Sequence, residues 1–215
     1  VFSFFKDDDQ WVGTSSLRNS SLEKDSFFGH SMDISANFAA IGSRDGNVVT
    51  EYIFDSKNNN WNQFNTIYPN RIQKKGHFGF SVAYNDEELI IGYPGFDNIG
   101  NIQIYSLSNG KREHYKTINS PNTSEGDFFG SSIDVANDQL AVGSFNGEVV
   151  SIYEFTIDGT IQFQKKLSTN NIKGGKFGRS ISLSTDEIII GAGYKETSFL
   201  FKRSKDNEWQ LSLEL

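Results

Sequence analysis

Four near-copies of one phrase constrain this chain more than any other feature of it. FGHSMDISANFAAIG runs from Phe28 to Gly42, and it returns as FGFSVAYNDEELIIG from Phe78, FGSSIDVANDQLAVG from Phe129 and FGRSISLSTDEIIIG from Phe177. The two glycines of each copy are 13 residues apart, and successive copies start 50, 51 and 48 residues apart. A fixed period of that size signals a repeat architecture, because a unit so small cannot bury a core alone and must lean on its neighbours.

Each unit divides into four strands, which in the first copy fall at about 30–35, 38–43, 48–54 and 61–67. The junctions Ala36-Asn37, Asn85-Asp86, Asn137-Asp138 and Thr185-Asp186 each carry an Asn or Asp, residues that tolerate the positive φ of a two-residue hairpin. Apolar runs such as ELIIG and EIIIG fit sheets covered on both faces. The 19 Phe and 8 Tyr suit a pleated, half-buried surface, and with only 3 Pro the strands keep their ladder donors. These features predict an all-β chain, a β-propeller of four-stranded antiparallel blades. As a single domain it would hold a half blade at 1–26 and blades at about 27–76, 77–126, 127–175 and 176–215. The opening segment reads as the third and fourth strands of a blade and the chain closes on another fourth strand, so the two ends cannot complete a shared blade. The expectation is further chain, roughly two to three blades in a seven-bladed ring, since an open edge would invite pairing.

The string FG, then SV or SI, then a hairpin, then IG or VG resembles the FG-GAP repeat of integrin-α-type propellers. Gly92-Tyr93-Pro94 lies nearest the GAP end of that motif, and strings such as YIFDSKNNNWNQFNTI are similar to the outer hairpins of short FG-GAP proteins. The resemblance covers essentially the whole chain. It implies a non-catalytic, extracellular or cell-surface scaffold that binds protein partners or belongs to a larger assembly. Many members of that family hold calcium in a loop between FG and GAP. The two-residue turns here are too short to wrap a cation that takes six to eight oxygens, so no cofactor and no metal is expected. Asp45-Gly46-Asn47 and Asp97-Asn98 are the nearest alternatives and read as turns.

Composition narrows the remaining classes. A net charge of −7 argues against a nucleic-acid surface, and no apolar run approaches the roughly 20 residues of a membrane span. The chain has no Cys, hence no disulfide or thiolate site. Phe28, Phe78, Phe129 and Phe177 are expected between blades. Gly29, Gly79, Gly130 and Gly178 would supply close approach or an unusual backbone angle, and Gly42, Gly92, Gly143 and Gly191 close the motif. His30, His77 and His114 lack metal or nucleophile spacing and are given structural roles. Asp86-Glu87-Glu88 sits at a hairpin tip, a poor place for a catalytic carboxyl pair, which leaves a hydrolase as the least favoured reading. Trp11, Trp61 and Trp209 are expected to pack against neighbouring blades. A lectin-like propeller binding glycan is the alternative function. Tyr68, Arg71, Tyr93 and Phe96 are the loop residues expected to anchor a partner, and Asn19 and Asn122 head glycosylation sequons.

Overall fold

The computed structural model describes residues 1–121, 124–169 and 173–215. It is all-β: one two-stranded sheet followed by four four-stranded antiparallel sheets in a propeller-like stack. The leading sheet pairs β1 (Phe2–Asp7) with β2 (Gln10–Ser16). The first complete sheet is β3 (Phe28–Ser35), β4 (Phe38–Ser43), β5 (Val48–Asp55) and β6 (Asn60–Ile67), paired in that order. The second holds β7 (Val82–Asn85), β8 (Glu88–Tyr93), β9 (Asn101–Ser108) and β10 (Lys111–Asn119). The third holds β11 (Phe129–Ala136), β12 (Gln139–Ser144), β13 (Val149–Phe155) and β14 (Ile161–Leu167). The fourth holds β15 (Phe177–Leu183), β16 (Glu187–Ala192), β17 (Thr197–Arg203) and β18 (Trp209–Glu214). Among the described residues, the 3-10 turns at Phe96–Asn98 and Gly193–Lys195 are the only helical segments. No helix among the described residues is long and apolar enough to cross a membrane.

Each sheet packs on the next through its first strand: β3 on β7, β7 and β8 on β11, β11 and β12 on β15. The apolar residues sort into four clusters, one per junction. Phe78 closes the junction with Val49 and Ile67, Phe129 that with Ile90 and Ile102, and Phe177 that with Val150 and Leu167. All three rings are at most 1% exposed. Burying a side chain of that size is worth about 1.5–3 kcal/mol, so the repeated phenylalanine is the main apolar contribution of each motif.

The serine three places after that phenylalanine completes the junction. Ser31 Oγ donates to the Gly79 carbonyl at 2.9 Å, Ser81 to Gly130 at 2.7 Å and Ser132 to Gly178 at 2.7 Å, each reaching from one sheet into the next. The glycine that ends the motif makes room for this bond. A Cβ on Gly92 would lie 2.0 Å from the Gly130 carbonyl oxygen and 2.2 Å from Ser81 Oγ, and Gly42 and Gly143 stand in the same relation to their serines. The glycine after the phenylalanine has another duty. Its φ lies between +82° and +91° in all four copies, turning the chain into the first strand. Of the hairpins, Asp86 and Asn137 take positive φ as expected, whereas in the first copy Ala36 does so in place of Asn37.

Candidate functional site

The positions that vary inside the repeat are those that meet in space. In each copy the residue before the phenylalanine, Phe27, His77, Phe128 or Lys176, is left-handed, with φ between +54° and +61°. Its carbonyl accepts the amide of the residue three places on: His30, Phe80, Ser131 or Arg179. This tight turn projects side chains beside the first strand of each sheet, and the loops after β4, β12 and β16 add Arg44, Asp45, Phe145 and Tyr194.

Together they form a rail of alternating rings and cations running across all four sheets. The Arg44 guanidinium lies over Phe27 at 4.5 Å and over Phe80 at 5.8 Å. His30 stands edge-on to Phe80 with centroids 4.6 Å apart, and His77 approaches the same ring at 6.4 Å. Phe80 and Phe145 are 6.5 Å apart, Phe128 flanks Phe145 at 5.4 Å, and Arg179 lies over Phe145 at 5.5 Å. Lys176 Nζ sits between Phe145 at 5.6 Å and Tyr194 at 5.8 Å. Stacking of this kind is worth about 0.5–1 kcal/mol per cation at exposed sites and holds a guanidinium flat while leaving its edge donors open.

The negative charge within the rail is Asp45, which faces His77 Nδ1 at 3.1 Å and Arg44 Nε at 3.4 Å. Loss of water on the Phe80 side holds His30 below the usual imidazole range, with Arg44 the next cause, Asp45 opposing, and Arg179 and His77 adding to the depression. His30 is therefore neutral near pH 7 and able to accept a proton, with cations on either side. An open hollow of about 540 Å³, bordered by Arg179, Ser180, Gly191, Glu196 and Leu215, adjoins the rail.

His30 and His77, expected in structural roles, are not enclosed in a core; the repeat brings both against the Phe80 ring. His114 does pack structurally, edge-on to Tyr105 at 5.5 Å with Nε2 2.8 Å from Thr117 Oγ1. The loop residues divide. Arg71 lies over Phe96 at 5.6 Å and Phe96 against Tyr93 at 5.2 Å, but Tyr93 is fully buried and its hydroxyl, accepting from the Gln73 amide at 2.7 Å, props the connecting loop. Tyr68, exposed, borders a separate cleft beside Ser21–Ser26 and Asp45. Asn19 is buried, 9% exposed, and its side-chain amide donates to Thr50 Oγ1 at 2.8 Å. Asn122 lies outside the described residues. Trp11 is exposed and Trp209 buried. Among the described residues no group of three His, Cys, Asp or Glu could hold a metal ion.

No sequence signal named the rail beforehand. The clue was present as the two unequal letters around each Phe-Gly, which stand out only once the constant letters are known to be architecture.

No family model matches the sequence, and no curated protein matches it. Solved structures do match the fold. A protein from Lactobacillus plantarum superposes with a TM-score of 0.74 at 12% identity over 99% of this chain and 64% of its own. A protein from Bacteroides fragilis described as a "putative 6-phosphogluconolactonase" gives 0.69 at 10% identity over 97% of this chain and 60% of its own. Virginiamycin B lyase from Staphylococcus aureus gives 0.55 at 13% identity over 87% and 56%. The chain thus spans less than two thirds of each. At these identities the likeness is one of fold.

The likeness corrects the expectation of a non-catalytic extracellular scaffold, together with its lectin alternative and the exclusion of an enzyme. Two of the matching structures carry the names of a lactonase and a lyase. Paired carboxylates were the mark of hydrolysis sought in the sequence, whereas the rail holds imidazoles, guanidiniums and an ammonium group.

Proposed function

We propose that the stacked sheets form the larger part of a propeller-type hydrolase that opens small anionic cyclic esters at the rail. The observation that carries this reading is the convergence of a neutral His30 with Arg44 and Arg179 on an aromatic floor. The name of the Bacteroides fragilis protein supports a phosphorylated sugar lactone as the type of substrate.

The chemistry asks little of the chain. A water gives a proton to His30 as its oxygen attacks the acyl carbon, and the oxyanion that forms is stabilised by a guanidinium donor. The ring C–O bond then breaks, the leaving ring oxygen takes the proton back from His30, and the product is a hydroxy acid. Arg179, whose guanidinium stacks without a carboxylate partner among the described residues, suits the substrate's own anionic group.

The test is hydrolysis of 6-phosphogluconolactone by the purified protein, followed as acid release above the uncatalysed rate. His30→Gln should lower kcat/KM at least about a hundredfold, and Arg179→Gln should act mainly on KM. A wild-type rate equal to the blank would overturn the reading. The resemblance to FG-GAP repeats supports a common repeat lineage. Four and a half sheets filling 64% of the Lactobacillus plantarum protein's length fits a closed ring of about seven.

A further inference from the structure

The junction between the third and fourth complete sheets carries polar groups where the two before it carry a ring. Register identifies the place. Gln139 opens β12 as Phe38 opens β4, and Arg203 faces Trp209 as Phe155 faces Ile161 and Leu107 faces Arg112. In the first junction Phe38 lies against the Arg112 guanidinium at 5.4 Å, and in the second Phe155 and Ile161 pack onto the apolar cluster around Phe129. The third junction has Gln139 in the place of Phe38 and Arg203 in that of Phe155, and both border a cavity of about 100 Å³ between the sheets.

Side chains alternate along a strand, so Gln139 points the way of Ala141 and Arg203 the way of Phe201, both members of the apolar cluster that joins these sheets. Gln139 is 2% exposed. Its Nε2 donates to the Thr185 carbonyl at 3.4 Å, which fixes the amide and leaves Oε1 a buried acceptor with no hydrogen-bond partner among the described residues. Arg203 Nε is a buried donor in the same condition. Buried polar atoms in folded proteins are nearly always paired, so an acceptor and a donor left over at one cavity mark a place for a molecule that carries both complements. Charge says which kind. Glu154 pairs with Gln139 across β12 and β13 and faces the same way, which sets acceptors on the third sheet against a guanidinium on the fourth. Lys165 and Glu208, at the exposed rim, form an ion pair and answer each other's charge.

We propose that this cavity binds a small zwitterionic α-amino acid, its ammonium group donating to Gln139 Oε1 beside Glu154 and its carboxylate accepting from Arg203 Nε. The volume equals about three waters at about 30 Å³ each, room for roughly six non-hydrogen atoms, which is the size of alanine. A simple anion would meet Glu154 without a countercharge of its own, and a simple cation would leave Arg203 Nε unanswered. The cavity is separate from the rail, so its failure as a binding site leaves the hydrolytic reading untouched.

The test is calorimetric titration of the 215-residue protein with L-alanine, set beside L-lactate, which has a hydroxyl in place of the ammonium group, and L-phenylalanine. Saturable binding of alanine is expected, with lactate at least about tenfold weaker because hydrogen bonds from charged donors are the stronger kind, and with no uptake of phenylalanine. Gln139→Leu and Arg203→Phe should each weaken alanine binding at least about tenfold. Gln139→Leu removes an unpaired acceptor and releases only the carbonyl of exposed Thr185, so its thermal midpoint without ligand should equal or exceed that of wild type. Arg203→Phe installs the ring that Phe155 supplies at the junction before, which gives the fold a second way to survive. No saturation with alanine, equal affinity for lactate, or unchanged affinity in either folded variant would overturn the proposal.

Discussion

Single residues decide how closely the sheets approach. The hydroxyl of Ser81 is buried and satisfies a buried carbonyl across a junction, so Ser81→Ala should cost about 1–3 kcal/mol, measurable as a lower denaturant midpoint with unchanged m. Gly92→Ala is the harsher change. Its methyl would occupy the space of both Ser81 Oγ and the Gly130 oxygen, and neither backbone can retreat without opening the apolar junction, so a loss of at least about 3 kcal/mol is expected. His30 gives a pH signature. Its folded pKa lies below the unfolded value of 6.5, so between those two values the unfolded chain binds more protons. Stability therefore rises with pH through that window and is lost as pH falls through it. The variant His30→Gln should show a weaker acid loss than wild type below pH 6.5, in thermal midpoints measured at pH 5 and 7. The same residue should set the acid limb of any hydrolytic pH profile below pH 6.5. At this scale the sequence was half legible. The Phe-Gly pair announced its architectural role by recurring, while the serine's role could not be read, because a donor is defined by an acceptor roughly fifty residues away.

Elements carry a second layer of information, namely which sheet follows which. Between the first and second complete sheets, Glu51 on β5 meets Arg112 on β10, both at most 1% exposed, with 2.6 Å between Oε1 and Nη2. Tyr84 OH donates to Glu51 at 2.8 Å and Asn65 at 3.1 Å, so both carboxylate oxygens are satisfied. Burial, with Glu51 second, drives the Tyr84 hydroxyl pKa upward. At the matching places in the next two junctions stand Ile104 with Ile161 and Ile152 with Trp209. A charged pair is thus exchanged for an apolar one as a unit, and half an exchange should fail. Glu51→Gln leaves the guanidinium without its countercharge and should cost about 3–5 kcal/mol, whereas Glu51→Ile with Arg112→Ile should recover most of that loss, a contrast a double-mutant cycle reads directly. Strand positions were legible from hairpin junctions and apolar runs, and the observed β3 to β6 lie within two residues of the expected spans. The buried pair was not legible. Glu51 reads as an ordinary strand carboxylate until the register of two sheets places Arg112 above it.

The whole molecule behaves as a row of neighbours in which each sheet depends on the two beside it. Protection from hydrogen exchange should follow that order: highest in β8, β9, β12 and β13, which are covered on both sides, and lowest in β1 and β2. An inverted order, with the leading sheet the slowest to exchange, would contradict the stacking described above. The overall charge of −7 and a cationic rail also belong together at this scale, since a local positive field on an acidic body draws a small anion to one place and repels it elsewhere. Raising salt should therefore slow capture of a charged substrate more than that of a neutral one. Fold class was legible because periodicity is a property of the whole string. The proposed activity was not, because the rail it rests on is built from the letters that break the period.

The left-handed residue that precedes each Phe-Gly offers a last consequence. Its backbone angle is imposed by the turn whatever side chain it bears, and a phenyl, an imidazole and an ammonium group all occupy that place in one molecule. Glycine there would relax the backbone and delete a side chain of the rail in one stroke, so the protein tolerates a little unease at four corners in order to keep a different choice of side chain at each on a frame that need not be rebuilt.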